Sequence, residues 1–311
     1  MYYFTAFPSG GYSAPYNIEG GSTSDRTDLI HSDERVIYGI YDALASEHQG
    51  YVTKQTMGKV FSRAINRYTF TPFSLENKTE YKAKQFKIAI ITSIHGYEQG
   101  CAFTTAQFFR LLCENRIDPH LSFLRRNVTF DVIPVANPSG FADNRRKNAN
   151  GVDLNRNFEP GFIYDQPINA WGYGGPSPAS EAETRILMQF IEENSDAVAV
   201  LDYHNIAEGY PLFYAYGQDD VQLAQSVFSY LTDKWTKEYS ELPRDRLLGL
   251  VKPNGKKGMF ADYILSKNLW GLTLETPWMM PEIGKAQYDS VTIRCALDVL
   301  VNTLLAIVQN K

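Results

Sequence analysis

Ile88-Ala89-Ile90-Ile91-Thr92-Ser93-Ile94-His95-Gly96-Tyr97-Glu98 is a β-branched, apolar run that stops at an imidazole and, three residues on, a carboxylate. A short strand without polar alternation is covered on both faces, as in a buried, largely parallel sheet. The strand is expected over 87–94, and runs of the same character occupy 128–135, 197–201 and 270–274. Longer amphipathic segments at 101–115, 180–194, 220–239 and 258–267 separate or follow them, and a long apolar-periodic segment, 289–308, closes the chain. A first helix is expected over 33–47, where Val36, Ile37, Ile40, Tyr41 and Leu44 recur at helical spacing behind Asp33 or Ser32 as N-cap. The alternation predicts an α/β fold with a mixed, mainly parallel central sheet and helices on both faces.

The chain of 311 residues, 44% of them hydrophobic, can bury one large core. Residues 1–30, rich in Gly, Ser, Tyr and Pro and without apolar period, read as an extended or flexible arm, and 31–311 as one catalytic domain. A formal charge of -5 offers no electrostatic footprint for nucleic acid. No run approaches the roughly 18 apolar residues of a membrane span, and Met1-Tyr2-Tyr3-Phe4-Thr5 lacks the basic-then-apolar pattern of a secretion signal. A soluble, cytoplasmic protein with no membrane partner is expected. Cys101, Cys113 and Cys295, an odd number in expected helices, read as small buried hydrophobes, which suits a reducing compartment.

Ligands of open α/β sheets bind at the carboxyl ends of the strands, so the residues that follow each apolar run are the candidates for chemistry. One run leads into His95-Gly96-Tyr97-Glu98, the second through Leu201-Asp202-Tyr203 into His204, and the third through Leu272-Thr273-Leu274 into Glu275. Two imidazoles and two carboxylates are thereby expected on one rim. Two histidines and a carboxylate make the three-ligand pattern of catalytic zinc, which leaves a position for water. His95 and Glu98 can share a metal across one turn with His204, while Glu275, arriving on a separate strand, can face the open side and move a proton. A lone His-x-x-Glu arises easily by chance, whereas its combination with His204 and Glu275 at the ends of separate strands does not. His31, His48 and His120 lack a carboxylate at ligand spacing and read as surface residues.

A second signal lies inside the irregular stretch 137–178: Asn144-Arg145-Arg146-Lys147-Asn148-Ala149-Asn150-Gly151-Val152-Asp153-Leu154-Asn155-Arg156-Asn157-Phe158. Structureless segments of that length inside compact chains are usually functional or disordered. Arginine offers a planar fork for carboxylates and asparagine adds neutral donors and acceptors. The run reads as an anion clamp or as a solvated basic loop, and composition alone favours the second.

Taken together, His95-Gly96-Tyr97-Glu98, the segment ending Gly151-Val152-Asp153-Leu154-Asn155-Arg156-Asn157-Phe158, the strand ending at His204, and Thr273-Leu274-Glu275 resemble the zinc carboxypeptidase A/B-like metallopeptidases in order and spacing. The resemblance covers the chain from about residue 33 onward. It implies one Zn2+ ion held by His95, Glu98 and His204, with Glu275 as general base and acid. It further implies that Asn155 and Arg156 bind the substrate's terminal carboxylate, that Arg146 polarises the scissile carbonyl, and that Asp153 receives the free N–H of the first zinc histidine. The implied substrate is a peptide, or a small amide, with a free carboxylate, such as a cell-wall stem peptide.

The match is incomplete. Digestive-type members place an arginine directly before the glutamate ligand, where this chain has Tyr97; no tyrosine lies within 252–259 to close over the substrate, and Tyr263 is the nearest. Lys256 and Lys257 sit near the expected side-chain pocket, as acid-binding groups or as solvated lysines. Two other readings stay open: a zinc amidohydrolase of the aspartoacylase and succinylglutamate desuccinylase type, and a binding or structural module whose chemistry has lapsed.

Overall fold

The computed structural model describes residues 11–14, 33–72, 85–206, 212–215, 249–251, 257–277 and 290–311, with single helical positions at Gln225, Ser229 and Asp233. Helix α1 (Glu34–Glu47) starts at Asp33, whose carboxylate accepts the backbone N–H of Arg35 at 2.9 Å and so satisfies a donor that the helix leaves orphaned. Strands β1 (Val52–Val60) and β2 (Arg63–Phe70) form a hairpin. Its two loop residues, Phe61 and Ser62, both take positive φ, 50° and 65°, matching the strand twist. No Asn-Gly or Asp-Gly marks this turn and the exposed face of β1 breaks its alternation, so the pair went unforeseen in the sequence.

The remaining elements are β3 (Phe86–Thr92), α2 (Gln99–Glu114), α3 (Pro119–Asn127), β4 (Val128–Ile133), α4 (Pro138–Ala142), a 3-10 turn (Leu154–Arg156), α5 (Ala182–Glu193), β5 (Ala199–Ile206), β6 (Leu212–Ala215), β7 (Gly249–Val251), α6 (Phe260–Ser266), β8 (Gly271–Pro277) and α7 (Ser290–Gln309). Among the described residues the sheet has eight strands in the order β1-β2-β4-β3-β5-β8-β6-β7. Its middle, β4-β3-β5-β8, is parallel throughout, while β2 joins β4, and β6 joins β8, antiparallel.

β3 shows why its sequence is apolar without alternation. Ile88 and Ile90 face a core shared with α1, α2, α3 and α7, whereas Ala89 and Ile91 face a second core beneath α5 and α6. Each large apolar side chain buried there contributes about 1.5–3 kcal/mol. The first core is aromatic: Phe70 stacks on Phe109 with ring centroids 4.0 Å apart.

The strand limits differ from expectation at the end that matters. β5 and β8 run on past 201 and 274 and carry His204 and Glu275 within the strands, because ladder hydrogen bonding continues through these polar residues. α3 was missed: it is short, starts on Pro119 and passes straight into β4, with Asp118 accepting the N–H groups of His120 and Leu121. The helix expected over 220–239 lies outside the described residues except at Gln225, Ser229 and Asp233. His120 is not a surface residue but 8% exposed, its ring edge-on to Tyr12 at 6.2 Å. Cys101, Cys113 and Cys295 are all buried. No helix among the described residues is long and apolar enough to cross a membrane.

Residues 11–14 are anchored to α7. Asn302 clasps the backbone of Tyr12, accepting its N–H at 2.9 Å and donating to its carbonyl at 3.0 Å, and Asp298 accepts the N–H of Ala14 at 2.6 Å. The Tyr12 side chain is buried in the first core. Tyr12→Ala is expected to lower the unfolding free energy by about 3 kcal/mol. An unchanged urea midpoint would show that this segment contributes nothing to the fold.

Candidate metal centre

After β3 the chain turns through Ser93 at φ 54°, and Ser93 Oγ donates to the carbonyl of Glu98 at 3.1 Å. Gly96 lies against α4 so closely that a Cβ there would stand 2.0 Å from the carbonyl carbon of Gly140, so only glycine fits between His95 and Glu98. Glu98 is the N-cap position of α2, where the helix dipole favours a negative charge. His204 on β5 and Glu275 on β8 are partners in the parallel register, which sets the two side by side.

His95 Nδ1 lies 2.7 Å from Glu98 Oε1, and His204 Nδ1 lies 2.8 Å from Glu98 Oε2. The three residues are buried, and their ligand atoms all fall within 4.8 Å of one another. Two imidazole nitrogens and a carboxylate are the donors of a three-ligand zinc site. The far nitrogens face carboxylates: His95 Nε2 is 3.3 Å from Asp153 Oδ1, and His204 Nε2 is 2.9 Å from Asp202 Oδ1. Both are ion-pair contacts without the alignment of a hydrogen bond. Asp153 had been singled out in the sequence and Asp202 had not. The available signal was Asp-x-His inside a strand, where residues two apart share a face.

The electrostatics suit a cation at this point. Burial alone would raise the Glu98 carboxyl, but the His95 and His204 imidazoles beside it hold it well below the usual range. For His204 burial disfavours the charged ring, yet Asp202 and Glu98 push it well above the ordinary imidazole value. Glu98, Asp153 and Asp202 thus place carboxylate oxygens within contact distance of the two imidazoles, and a bound cation would face all of them. Burial pushes the Glu275 carboxyl up to about 7, with His204 pulling down and Glu98 pushing up.

Arg146 closes one side. Its Nε and Nη2 each lie 2.9 Å from Asp153 Oδ2, Nη1 is 3.3 Å from His95 Nδ1, and the guanidinium lies 3.9 Å from the centre of the Trp171 ring. Asp153 thus touches both the histidine and the arginine, and His95 and Arg146 hold its carboxyl well below the usual range against the effect of burial. Tyr97 stacks on His95 with ring centroids 6.4 Å apart and lies beside Arg146, which opposes the rise that burial imposes on its phenol. Asn155 is buried and its Oδ1 accepts the N–H of Phe260 at 2.8 Å, which leaves its amide N–H groups as donors on the other side. Arg156, half-buried, donates from Nη1 to the carbonyl of Asn155 at 2.6 Å. Gly258, at φ 69°, packs its backbone on the carbonyls of Arg156 and Phe158, where a Cβ would meet oxygen at 2.8 Å.

Trp171 escaped the sequence reading because it reaches Arg146 from 25 residues away through an irregular loop. Tyr263 is not a substrate clamp in this arrangement: its hydroxyl donates to Glu192 at 3.2 Å and its ring packs on Phe158 in the second core. Lys256 lies outside the described residues, and the backbone N–H of the exposed Lys257 donates to Asp262.

A buried His-Glu-His cluster on a mainly parallel sheet, with a carboxyl on the adjoining strand and an arginine at its rim, defines a metal-dependent hydrolase type of site. A family model described as Zinc carboxypeptidase matches residues 37–261, and the chain belongs to that family. The ion of this family is zinc, and the cluster fits it. The match takes in His95, Glu98, Arg146, Asp153, Asn155, Arg156 and His204, and Glu275 lies beyond its end. Mouse carboxypeptidase A4 is 25% identical over 202 residues, 58% of this chain and 46% of the relative. Carboxypeptidase SOL1 of Arabidopsis thaliana is 36% identical over 105 residues, 33% of this chain and 20% of the relative. The chain spans less than half the length of these curated relatives. Among solved structures, carboxypeptidase A from Helicoverpa armigera superposes with a TM-score of 0.68 at 20% identity, covering 89% of this chain and 73% of that one. A metallo-carboxypeptidase from Burkholderia cenocepacia gives 0.66 at 16% identity, covering 91% and 70%. At these identities the superpositions establish the fold.

The contacts of the far nitrogens carry a prediction. Asp202→Asn and Asp153→Asn should each weaken zinc binding about 10- to 100-fold, since each carboxylate orients a ligand ring. Competition with a chromophoric chelator measures this, and wild-type affinity in Asp202→Asn would remove that residue from the site.

Proposed function

We propose that the protein is a zinc metallocarboxypeptidase that hydrolyses the C-terminal bond of a peptide with a free terminal carboxylate. The observation that carries this reading is the convergence on one point of three metal donors, the Glu275 carboxyl and the Arg146 guanidinium. Bound at His95, Glu98 and His204, zinc would supply Lewis-acid polarisation of a carbonyl and a pKa near about 7 for water. Glu275, set beside His204 by the strand register, takes the proton of the attacking water and delivers it to the leaving amine. Arg146, its edge fixed by Asp153 and its face by Trp171, donates to the oxygen that becomes negative, a contact worth about 3 kcal/mol in the transition state. The amide N–H groups of Asn155 and the fork of Arg156 bind the terminal carboxylate and set the register of cleavage.

A cell-wall stem peptide is one substrate of this description, and an N-acyl amino acid would point instead to the amidohydrolase reading. Mass spectrometry of a pool of free, amidated, N-acylated and cell-wall-type peptides, with and without chelator, separates them. Loss of single C-terminal residues, stopped by chelator or by amidation, is the expected result; release of acyl groups alone would replace the proposal.

Two substitutions test the assigned roles. Glu275→Gln should retain zinc and lose about a hundred- to ten-thousand-fold in kcat, because proton transfer is removed while coordination is left intact. Release of the metal would mean that Glu275 is itself a ligand. Arg156→Ala should raise KM for free-carboxylate peptides with little change for amidated ones, and equal losses on both would refute the clamp.

A further inference from the structure

The cationic run around Arg146 is only partly used by this mechanism. Arg145, Arg146, Lys147, Asn148, Gly151 and Trp171 line a depression of about 330 Å3 beside the metal centre. Half of these residues are cations and none is a carboxylate, in a chain whose formal charge is -5. Lys147 has neutral groups beside its ammonium: the carbonyl of Ala170 at 2.6 Å from Nζ and the face of Tyr173 at 6.0 Å. Arg145 pairs with Asp143, both half exposed, in a solvent-screened contact that a better-placed anion can displace.

The floor of the depression is built before any ligand arrives. Asn148 is fully buried, donates to Glu181 at 2.7 Å, and accepts the N–H groups of Asn150 and Val152 at 3.1 and 3.0 Å. Gly151 turns the chain at φ 72°. The wall shared with the metal centre is Arg146 beneath Trp171, so whatever fills the depression lies one guanidinium away from His95 and Glu98. Trp171, 67% exposed, adds an apolar plate at the rim.

We infer that this depression is a second anion subsite, which takes a carboxylate side chain of the substrate, separate from the terminal carboxylate assigned to Asn155 and Arg156. The inference rests on the peptidase reading for what the bound molecule is, and its test is chosen to be independent of turnover. N-acetylated tripeptides carrying Glu or Gln at each position in turn are titrated by calorimetry into the zinc-loaded Glu275→Gln protein at low salt. At one position the Glu peptide should bind about fivefold tighter than its Gln counterpart. In Arg145→Gln with Lys147→Gln the ratio should fall towards one. Because Lys147 also braces the loop, the single exposed change Arg145→Glu is the second variant, and it should lower or reverse the preference in a protein of unchanged melting temperature. Equal affinities at every position, or a Glu preference that survives Arg145→Glu, would overturn the subsite. Cleavage of the same tripeptides by the unsubstituted protein tests the activity separately: acidic preference in binding without cleavage keeps the subsite and removes the peptidase reading, and cleavage without preference does the reverse.

Discussion

The carboxylate of Glu98, shared between His95 and His204, is the contact on which the rest of the molecule depends. It joins three pieces of chain that are distant in sequence: the end of β3, the start of α2 and the middle of β5. Burying an ion costs several kcal/mol unless partners and hydrogen bonds compensate it. Here the compensation comes from two imidazoles, the N–H of Asn205 at 3.3 Å and the positive end of α2. Asn205 in turn accepts the N–H of Cys101 at 2.6 Å, which binds the first turn of that helix to β5. Gly96 and Ser93 serve the same contact, one by letting α4 close over the loop and the other by reversing the chain after the strand.

The loop that carries Arg146, Asn155 and Arg156 is ordered by a different kind of force. It has little apolar core of its own and is held as a polar lattice. Asn148 reaches Glu181 and Glu183, Asn150 reaches Glu181, and Asn157 reaches the carbonyls of Gly174 and Ser177 and the hydroxyl of Ser180. Burial raises the Glu183 carboxyl above its ordinary value, and the amide N–H of Asn148 opposes that shift. Such networks are directional and fix side-chain positions more narrowly than apolar packing does. A segment whose arginines must meet a carboxylate and a carbonyl needs that narrowness.

Much of this was legible in the sequence because the parallel strands and the residues after them carry contrasting chemistry. An apolar run ending at His95, Glu98, His204 or Glu275 marks both the sheet and its functional edge. What escaped depends on register or on loop path. Asp202 matters because strand geometry sets it behind His204, and Trp171 because its loop folds back over Arg146. The β1–β2 hairpin and α3 were missed for local reasons: a turn without glycine, and a helix too short to show a period. At residues 11–14 the composition carries no sign of the clasp that Asn302 makes on Tyr12.

Tyr97 links the metal centre to the cationic loop. It occupies the place where digestive-type relatives were expected to carry an arginine, and it presents a phenol to the guanidinium of Arg146. An arginine there would add a second cation beside Arg146, with the repulsion and desolvation that two adjacent guanidinium groups bring. With a neutral ring instead, Arg146 is the cation nearest His95 and Glu98 among the described residues, and Asp153 is free to orient it. The further positive charge of the loop, on Arg145 and Lys147, lines the neighbouring depression together with Trp171. The division separates two demands on charge: a guanidinium fixed by Asp153 beside the metal ligands, and next to it an exposed Arg145 and a half-buried Lys147 whose charges have no such fixed task.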